Sequence, residues 1–349
     1  MHRNEDGRLV VSATDLVGFL CCEHLTELSL EVANGVRDRP VRADPELDVL
    51  SRRGLAHEAR YLDSLRAGGR QVVEIDADAP IEEQVARTLE AMRAGAEYIY
   101  QAAFLDVPDQ GPLWRGHADF LARVNTESAL GSWSYEPEDT KLARHVRPDA
   151  VLQLCCYAQQ IENVQGFMPQ SVHLVLGNLE RPSFRTSDYA AYLQAARSRF
   201  IAALSRAEPV YPDPVEHCTV CSFAAECQER READDHLSLV ANLRKDQARK
   251  LAERSGIHTM TQLSTSTEVE TTRLGRQTLD RLRRQARLQV RAREVAPSPP
   301  PYELLPFSSA EGLATLPSPS PGDLFFDIEG DPFVGDEGLE YLFGVGWIE

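Results

Sequence analysis

The chain has 349 residues, of which 42% are hydrophobic and 26% are charged, and its formal net charge is −17 at pH 7. That length exceeds one average domain, and the composition is typical of a globular protein. No run of about 18 apolar residues is present, which argues against a membrane span. The first residues lack the pattern of a secretory signal and the seven cysteines are an odd number, so we expect a reducing, cytoplasmic location.

Helical and strand patterns alternate through the first two thirds of the chain. A helix capped by Ser12 or Thr14 is predicted to run to about residue 32, because the apolar spacing continues that far. Further helices are predicted for residues 47–67, 81–95, 150–161 and 187–207, and strands for residues 71–75, 98–104, 113–124, 132–141 and 171–176. Helices that flank a small mixed sheet form an α/β fold.

A predicted helical region that is rich in Lys and Arg follows the α/β part of the chain. Residues 244–293 contain 13 Lys and Arg against 5 Asp and Glu. A polyanion such as DNA can therefore meet a basic face here, although the chain as a whole is acidic.

The last part of the chain contains a linker and two predicted strands, 323–331 and 341–348. Two strands and a loop cannot close a domain, so we expect the sequence to be a piece of a longer protein. The predicted parts are residues 1–232, the basic helical region 233–295, the Pro/Ser-rich linker 296–322 and the start of a further domain at 323–349.

Two carboxylates and a lysine lie on neighbouring predicted strands. Asp119 ends the segment GHAD, and Asp139 is followed two residues later by Lys141. Because side chains alternate along a strand, Asp139 and Lys141 face one side, and Asp119 can share their pocket. Glu136 and Glu138 are alternatives for the second carboxylate, but Glu138 should point to the opposite face from Asp139. Carboxylate ligands suit Mg²⁺, which activates water in phosphodiester hydrolysis, and Lys141 would stabilise the developing charge or position the water.

Four motifs in this order resemble the RecB-like branch of the PD-(D/E)XK nuclease superfamily over residues 10–230. The motifs are His57 in GLAHE, Asp119 in GHAD, Asp139 with Lys141, and Gln153 with Tyr157. The resemblance implies a restriction-endonuclease-like core, a mixed sheet flanked by helices. It also implies that His57, Asp119 and Asp139 bind Mg²⁺ or Mn²⁺, that Lys141 is the catalytic lysine, and that Gln153 and Tyr157 hold DNA and order the site.

Three cysteines with the spacing Cys218-x2-Cys221-x5-Cys227 lie near the end of this region, and Cys21 and Cys22 lie near its beginning. The spacing is similar to that of AddB-type nucleases and CRISPR-associated exonucleases, in which one early cysteine and three late ones hold a structural [4Fe–4S] cluster. The resemblance implies Cys22 as the early ligand, with Cys21 in reserve. Four thiolates also suit zinc, the alternative metal. We expect Cys155 and Cys156 to be packed core thiols.

Two further segments resemble known modules. Residues 243–263, with Gly256 at the turn, are similar to a helix-hairpin-helix element, and residues 273–293 add a second basic helix. The strand that carries Asp327 and Glu329 resembles the first motif of RNase H-like exonucleases of the DEDD kind. The remaining acidic motifs of that family would follow residue 349, so we expect no second activity from this part.

The sequence therefore predicts a metal-dependent DNA nuclease that acts on single-stranded or duplex ends in DNA repair or processing. A helicase module further along the natural chain is the expected partner. One alternative is a non-catalytic DNA-binding or scaffold module. The other is an RNA-processing nuclease in which the cysteines bind zinc.

Overall fold

The computed structural model describes residues 1–267, 274–306, 310, 312–331, 334 and 338–347. Contacts divide the chain into two compact units. The first comprises residues 1–210 and 329–342, and the second comprises residues 211–328 and 343–349. Each unit is described separately below, and the predicted domain limits stay predictions.

The first unit is a mixed sheet with helices around it, so the predicted α/β class is confirmed. Its strands are β1 (His2–Arg3), β2 (Leu9–Ser12), β3 (Val72–Glu74), β4 (Tyr98–Asp106), β5 (Leu113–Val124), β6 (Ser134–Thr140), β7 (Ser171–Val175) and β8 (Ser183–Arg185). Its helices are α1 (Ala13–Cys21), α2 (Glu23–Ala33), α3 (Pro45–Ala67), α4 (Ile81–Ala94), α5 (Pro148–Gln165) and α6 (Ala190–Ala203). Strands β1, β2 and β8 were not predicted, and the others match the predicted segments to within a few residues.

Strand β5 organises the sheet because it pairs with three other strands. One edge pairs with β4 from Trp114 to Ala122. The other edge pairs with β2 at residues 113–115 and with β6 at residues 120–124, so between them residues 116–119 pair with neither strand. The sheet is therefore split along this edge of β5, and Asp119 lies at one end of the split.

Helices cover both faces of the sheet. Leu121 packs into a large apolar cluster with side chains from α1, α4, α5 and α6. Its neighbour Phe120 packs instead with Tyr61, Leu62 and Leu65 of α3. Because successive strand side chains point to opposite faces, α3 lies on the face opposite the large cluster.

A close approach between β5 and α5 requires glycine at position 116. A Cβ atom there would lie 1.8 Å from Oε1 of Gln160, whose amide also donates to the carbonyl of Trp114 at 2.9 Å. Gly116 of the GHAD motif therefore has a packing role.

The predicted N-terminal helix is two helices. Of the two predicted caps, Ser12 is the one that caps α1, in a capping box with Asp15. Cys22 then adopts an extended conformation, with φ −156° and ψ 108°, and α2 begins at the next residue. The prediction of one helix to residue 32 was wrong, because apolar periodicity on both sides of the break concealed it.

The second unit contains α7 (Ala224–Ala233), α8 (Lys245–Ser255), α9 (Met260–Thr265) and α10 (Arg276–Val295). Leu251, Met260, Leu263 and Leu282 belong to its apolar core. Gly256 ends α8 in the left-handed conformation, with φ 62°. The predicted pair of helices around Gly256 is present, whereas Arg273 lies outside the described residues.

Strands β9 (Leu324–Asp331) and β10 (Leu339–Trp347) form a separate two-stranded sheet. Both strands match the predicted ones, except that Ile348 lies outside the described residues. None of the helices in the described ranges is long and apolar enough to cross a membrane.

Candidate active site

Asp119 and Asp139 lie side by side at the split edge of β5. The backbone N–H and the hydroxyl of Thr140 both donate to Oδ2 of Asp119, at 3.0 and 3.1 Å. Asp139 is 2% exposed. Burial, and then the charge of Asp119 and a hydrogen bond with it, raise the pKa of Asp139 well above its ordinary value. The structure therefore brings together the two carboxylates that the sequence predicted.

Lys141 forms an ion pair with Asp139 in the same pocket. Burial by itself would lower the pKa of Lys141, but the carboxylates of Asp139, Asp119 and Asp149 raise it. The lysine is therefore held as an ammonium between carboxylates.

His57 of α3 contacts the end of β7, and among the described residues it has no hydrogen bond or electrostatic interaction with Asp119 or Asp139. Its side chain is fully buried, and Nε2 lies 3.2 Å from the carbonyl oxygen of Val175, which also accepts the backbone N–H of Lys141 at 2.8 Å. A ring nitrogen that faces a carbonyl carries the proton, so Nδ1 retains a lone pair. Burial lowers the pKa of His57, which favours this neutral form.

One buried polar atom, Nδ1 of His57, has no hydrogen-bond partner within the described part of the chain. Oδ2 of Asp139, by contrast, is paired with the Lys141 ammonium. A buried polar atom without a hydrogen bond is costly and calls for an explanation such as an ion. An imidazole nitrogen and carboxylate oxygens are ligand types that divalent cations accept, so the residue types are compatible with the predicted metal.

Glu58 is a site residue that the sequence analysis missed. It follows His57 in α3, is half-buried and accepts a hydrogen bond from the Gln101 amide. Burial, and then the charge of Asp119, raise its pKa, while Lys141 acts in the opposite direction. An acidic residue beside the motif histidine was the available signal, but helical spacing alone does not say which side chain turns toward the strands.

The backbone of β4 is distorted opposite Asp119. Gln101 has φ 57°, and it and Asp119 are absent from the ladder that pairs the residues on either side of them. A non-glycine residue in the left-handed region is strained, and such strain is frequent at functional sites. Here the distortion accompanies the hydrogen bond from Gln101 to Glu58.

Gln153 and Tyr157 occupy successive turns of α5 above the carboxylates. The Gln153 amide donates to the Tyr157 hydroxyl at 2.7 Å. Burial raises the pKa of Tyr157, and the charges of Asp139 and Asp119 raise it further. Gln153 also lines a cleft of about 100 Å³ with Lys141, His145 and Arg147. The predicted pair therefore lies beside the carboxylates.

The two alternative carboxylates make other contacts. Glu138 is fully buried and binds the Tyr61 hydroxyl and the Arg181 guanidinium, in keeping with its expected direction. Glu136 accepts the backbone N–H of Ser171 at 3.0 Å and lies 2.7 Å from Nε2 of His173. Their contacts leave Asp139 as the carboxylate beside Asp119.

The predicted cluster cysteines lie on short elements in both units. Cys22 separates α1 from α2 in the first unit, and the other three belong to the second unit. There the backbone N–H of Val215 donates to Sγ of Cys218 at 3.4 Å, and Cys227 lies in the first turn of α7. Cys155 and Cys156 are confirmed as core thiols, since both are buried and burial raises the pKa of each to about 12.

A search of the described residues finds no group of three or more His, Cys, Asp or Glu side chains arranged to hold a metal ion. The predicted metal and cluster ligands therefore stay predictions. In comparisons with known proteins, no protein-family model and no curated protein matches the chain.

Proposed function

We propose that the first unit is a divalent-metal-dependent deoxyribonuclease of the RecB-like PD-(D/E)XK type. One observation carries the proposal: Asp119 and Asp139 lie in hydrogen-bond contact in one buried pocket, where Lys141 is paired with Asp139. Carboxylates and a lysine at one pocket match what phosphodiester hydrolysis requires.

Each residue has a role that follows from its contacts. When bound by His57, Asp119 and Asp139, Mg²⁺ or Mn²⁺ would lower the pKa of the attacking water and neutralise phosphate charge. Lys141 supplies a fixed positive charge for the phosphoryl oxygen that becomes more negative in the transition state. Thr140 keeps Asp119 in place through two hydrogen bonds. Tyr157, oriented by Gln153, presents its hydroxyl to the strand that is being cut.

DNA is the substrate that we propose, with single-stranded or duplex ends as its form. The basic helix α10 of the second unit would contact phosphates without reading sequence, and the turn at Gly256 would do so through backbone N–H groups. Such a nuclease would serve DNA repair or processing together with a helicase module.

We further propose a structural [4Fe–4S] cluster on Cys22, Cys218, Cys221 and Cys227. The hydrogen bond from Val215 to the Cys218 sulfur is of the kind that tunes such clusters. Zinc is the alternative metal for four thiolates. Anaerobically purified protein should be brown and contain iron, and each Cys→Ser variant should lose both properties. A colourless protein that contains zinc instead would contradict the cluster.

Cleavage of end-labelled DNA in Mg²⁺ or Mn²⁺ tests the proposed activity. Lys141→Ala should reduce the rate by about 10²–10³-fold, because it removes a charge that stabilises the transition state. Asp119→Asn should reduce cleavage as well, whereas Asp63→Asn, which changes an exposed carboxylate of α3, should not. Equal cleavage by wild type and Lys141→Ala would refute the assignment. RNA of the same sequence serves as a parallel substrate, and preferential RNA cleavage would favour the RNA-processing alternative.

A further inference from the structure

A second cleft opens at the split edge of β5, beside β2 and the start of α1. It has a volume of about 240 Å³, and its lining includes Ser12, Thr14, Arg115, His117 and Tyr157. Ser12 pairs in register with Arg115 where β2 ends, and α1 begins at the next residue. We call this the β5-edge cleft.

One positive group of the β5-edge cleft, the Arg115 guanidinium, has no carboxylate partner among the described residues. Nε of Arg115 donates to Nε2 of His117 at 2.7 Å, so the histidine accepts and its other ring nitrogen carries the proton. Arg115 is half-buried, and among the described residues it forms no ion pair. A partly buried guanidinium whose neighbour is a histidine calls for an anion.

Asp15 also lines the cleft, but its oxygens are engaged elsewhere. Oδ2 accepts from the backbone N–H and the hydroxyl of Ser12, both at 2.9 Å, and Oδ1 pairs with the amine of Met1 at 2.7 Å. The charge of Asp15 therefore stabilises the start of α1 and leaves the guanidinium of Arg115 available.

The β5-edge cleft shares Tyr157 with the candidate active site. Arg115, His117 and Asp119 occupy alternate positions of β5, each about 7 Å from the next. Tyr157 lines the cleft, and its partner Gln153 lines the smaller cleft beside Lys141. A nucleic-acid strand that crosses Gln153 and Tyr157 would therefore place one phosphate at Asp119 and the next at His117, beside the Arg115 side chain that hydrogen-bonds to it.

We propose that Arg115 and His117 form a binding subsite for a phosphate next to the one that is cut. The planar guanidinium can bind two phosphate oxygens at once, and the protonated ring nitrogen of His117 supplies another donor. This inference rests on the proposed nuclease function, because it assigns the neighbouring position on the same strand. The phosphate can come from within a strand or from a terminal monophosphate.

Binding of fluorescent single-stranded oligonucleotides, measured in EDTA so that no cleavage occurs, tests the subsite directly. Arg115→Gln should weaken binding by about tenfold and reduce the salt dependence by about 0.7 in the slope of log K against log salt. Arg93→Gln, an exposed arginine at the end of α4, is the control with the same charge change and should bind like wild type. Arg115→Lys should have intermediate affinity, since it keeps the charge and loses the planar fork.

Phosphorylated, unphosphorylated and circular oligonucleotides distinguish a terminal phosphate from an internal one. A loss of affinity only for a 5′- or 3′-phosphorylated oligonucleotide identifies a terminal phosphate. A loss that is equal for phosphorylated, unphosphorylated and circular strands identifies an internal phosphate. Affinity of Arg115→Gln equal to that of Arg93→Gln on every substrate would overturn the proposal.

A second variant tests the subsite without any substitution in β5, so that a folding defect in that strand cannot explain the result. Thr14→Asp introduces a carboxylate at the exposed mouth of the cleft, in the first turn of α1, where an acidic residue suits the helix. It should weaken binding by a similar factor without altering β5, and unchanged affinity would contradict the subsite. Because binding is measured without metal, a protein that never cleaves but shows these affinity differences would lose the nuclease assignment and keep the phosphate subsite.

Discussion

His57 and Lys141 meet at one atom, the carbonyl oxygen of Val175. Nε2 of His57 lies 3.2 Å from this oxygen, and the backbone N–H of Lys141 lies 2.8 Å from it. The residues are far apart in sequence, and β7 connects them because its last residue pairs with Thr140. A helix on one face of the sheet thereby contacts the same carbonyl group that holds the backbone of Lys141.

Replacement of His57 should weaken metal binding more than it weakens the fold. His57→Gln removes the buried Nδ1 lone pair, so we expect the Mn²⁺ concentration for half-maximal cleavage to rise at least about tenfold. His173→Gln is a matched control, because His173 is also buried but binds Glu136 and Ser183. It should leave the metal requirement unchanged. Equal metal titrations for the two variants would contradict a ligand role for His57.

Glu58 is predicted to support the site although the family resemblance assigned no role to it. Glu58→Gln removes a negative charge near Asp119 and Lys141, and we expect activity to fall about 10–100-fold with a higher metal requirement. Glu46→Gln, in the exposed first turn of α3, is the control. Steady-state cleavage over a range of Mg²⁺ concentrations measures both effects. An unchanged rate at limiting Mg²⁺ would remove Glu58 from the site.

Asp139 should make the metal-free protein less stable as the pH rises. Its pKa in the folded state lies well above the ordinary 3.8, through burial first and then through Asp119. A folded state that binds the proton more tightly than the unfolded chain loses stability from about that ordinary value up to the raised pKa, and the loss is complete above it.

Asp139→Asn removes this titration. In urea unfolding with EDTA, we therefore expect the free energy of unfolding of wild type to decrease relative to that of Asp139→Asn from acidic to neutral pH. Excess Mn²⁺ should restore the free energy of unfolding of wild type but not change that of Asp139→Asn, because the metal binds the ionised carboxylate. A constant difference between the two proteins across this pH range would show that Asp139 keeps an ordinary pKa.

The Glu138 ion pair is predicted to stabilise the fold and not the chemistry. Arg181→Ala removes the ion-pair partner of the fully buried Glu138 carboxylate and leaves the hydrogen bond from the Tyr61 hydroxyl. The free energy of unfolding should therefore decrease by about 2–3 kcal/mol. Arg185→Ala breaks an exposed ion pair with Asp188 and should change stability by less than about 0.5 kcal/mol. Denaturant midpoints measure the difference. Comparable midpoints for both variants would contradict a structural role for the Glu138 pair.

Local sequence determined most of the secondary structure and part of the site. Apolar periodicity located the principal helices and strands, and Ser12 with Asp15 specified where α1 begins. Alternation along β6 predicted that Asp139 and Lys141 lie together and that Glu138 points away. These features depend on residues close in the chain, whose relative directions follow from helix and strand geometry.

The tertiary structure decided which residues from distant parts of the sequence lie beside Asp139 and Lys141. The parallel pairing of β2 with β5 joins segments about a hundred residues apart, and it creates the split edge where Arg115 and His117 lie near Asp119. The left-handed Gln101 and the turn of Glu58 toward Asp119 depend on how α3 packs against the sheet. No local pattern encodes them, because the register between distant strands and the packing of a helix on a sheet arise from many weak contacts made together.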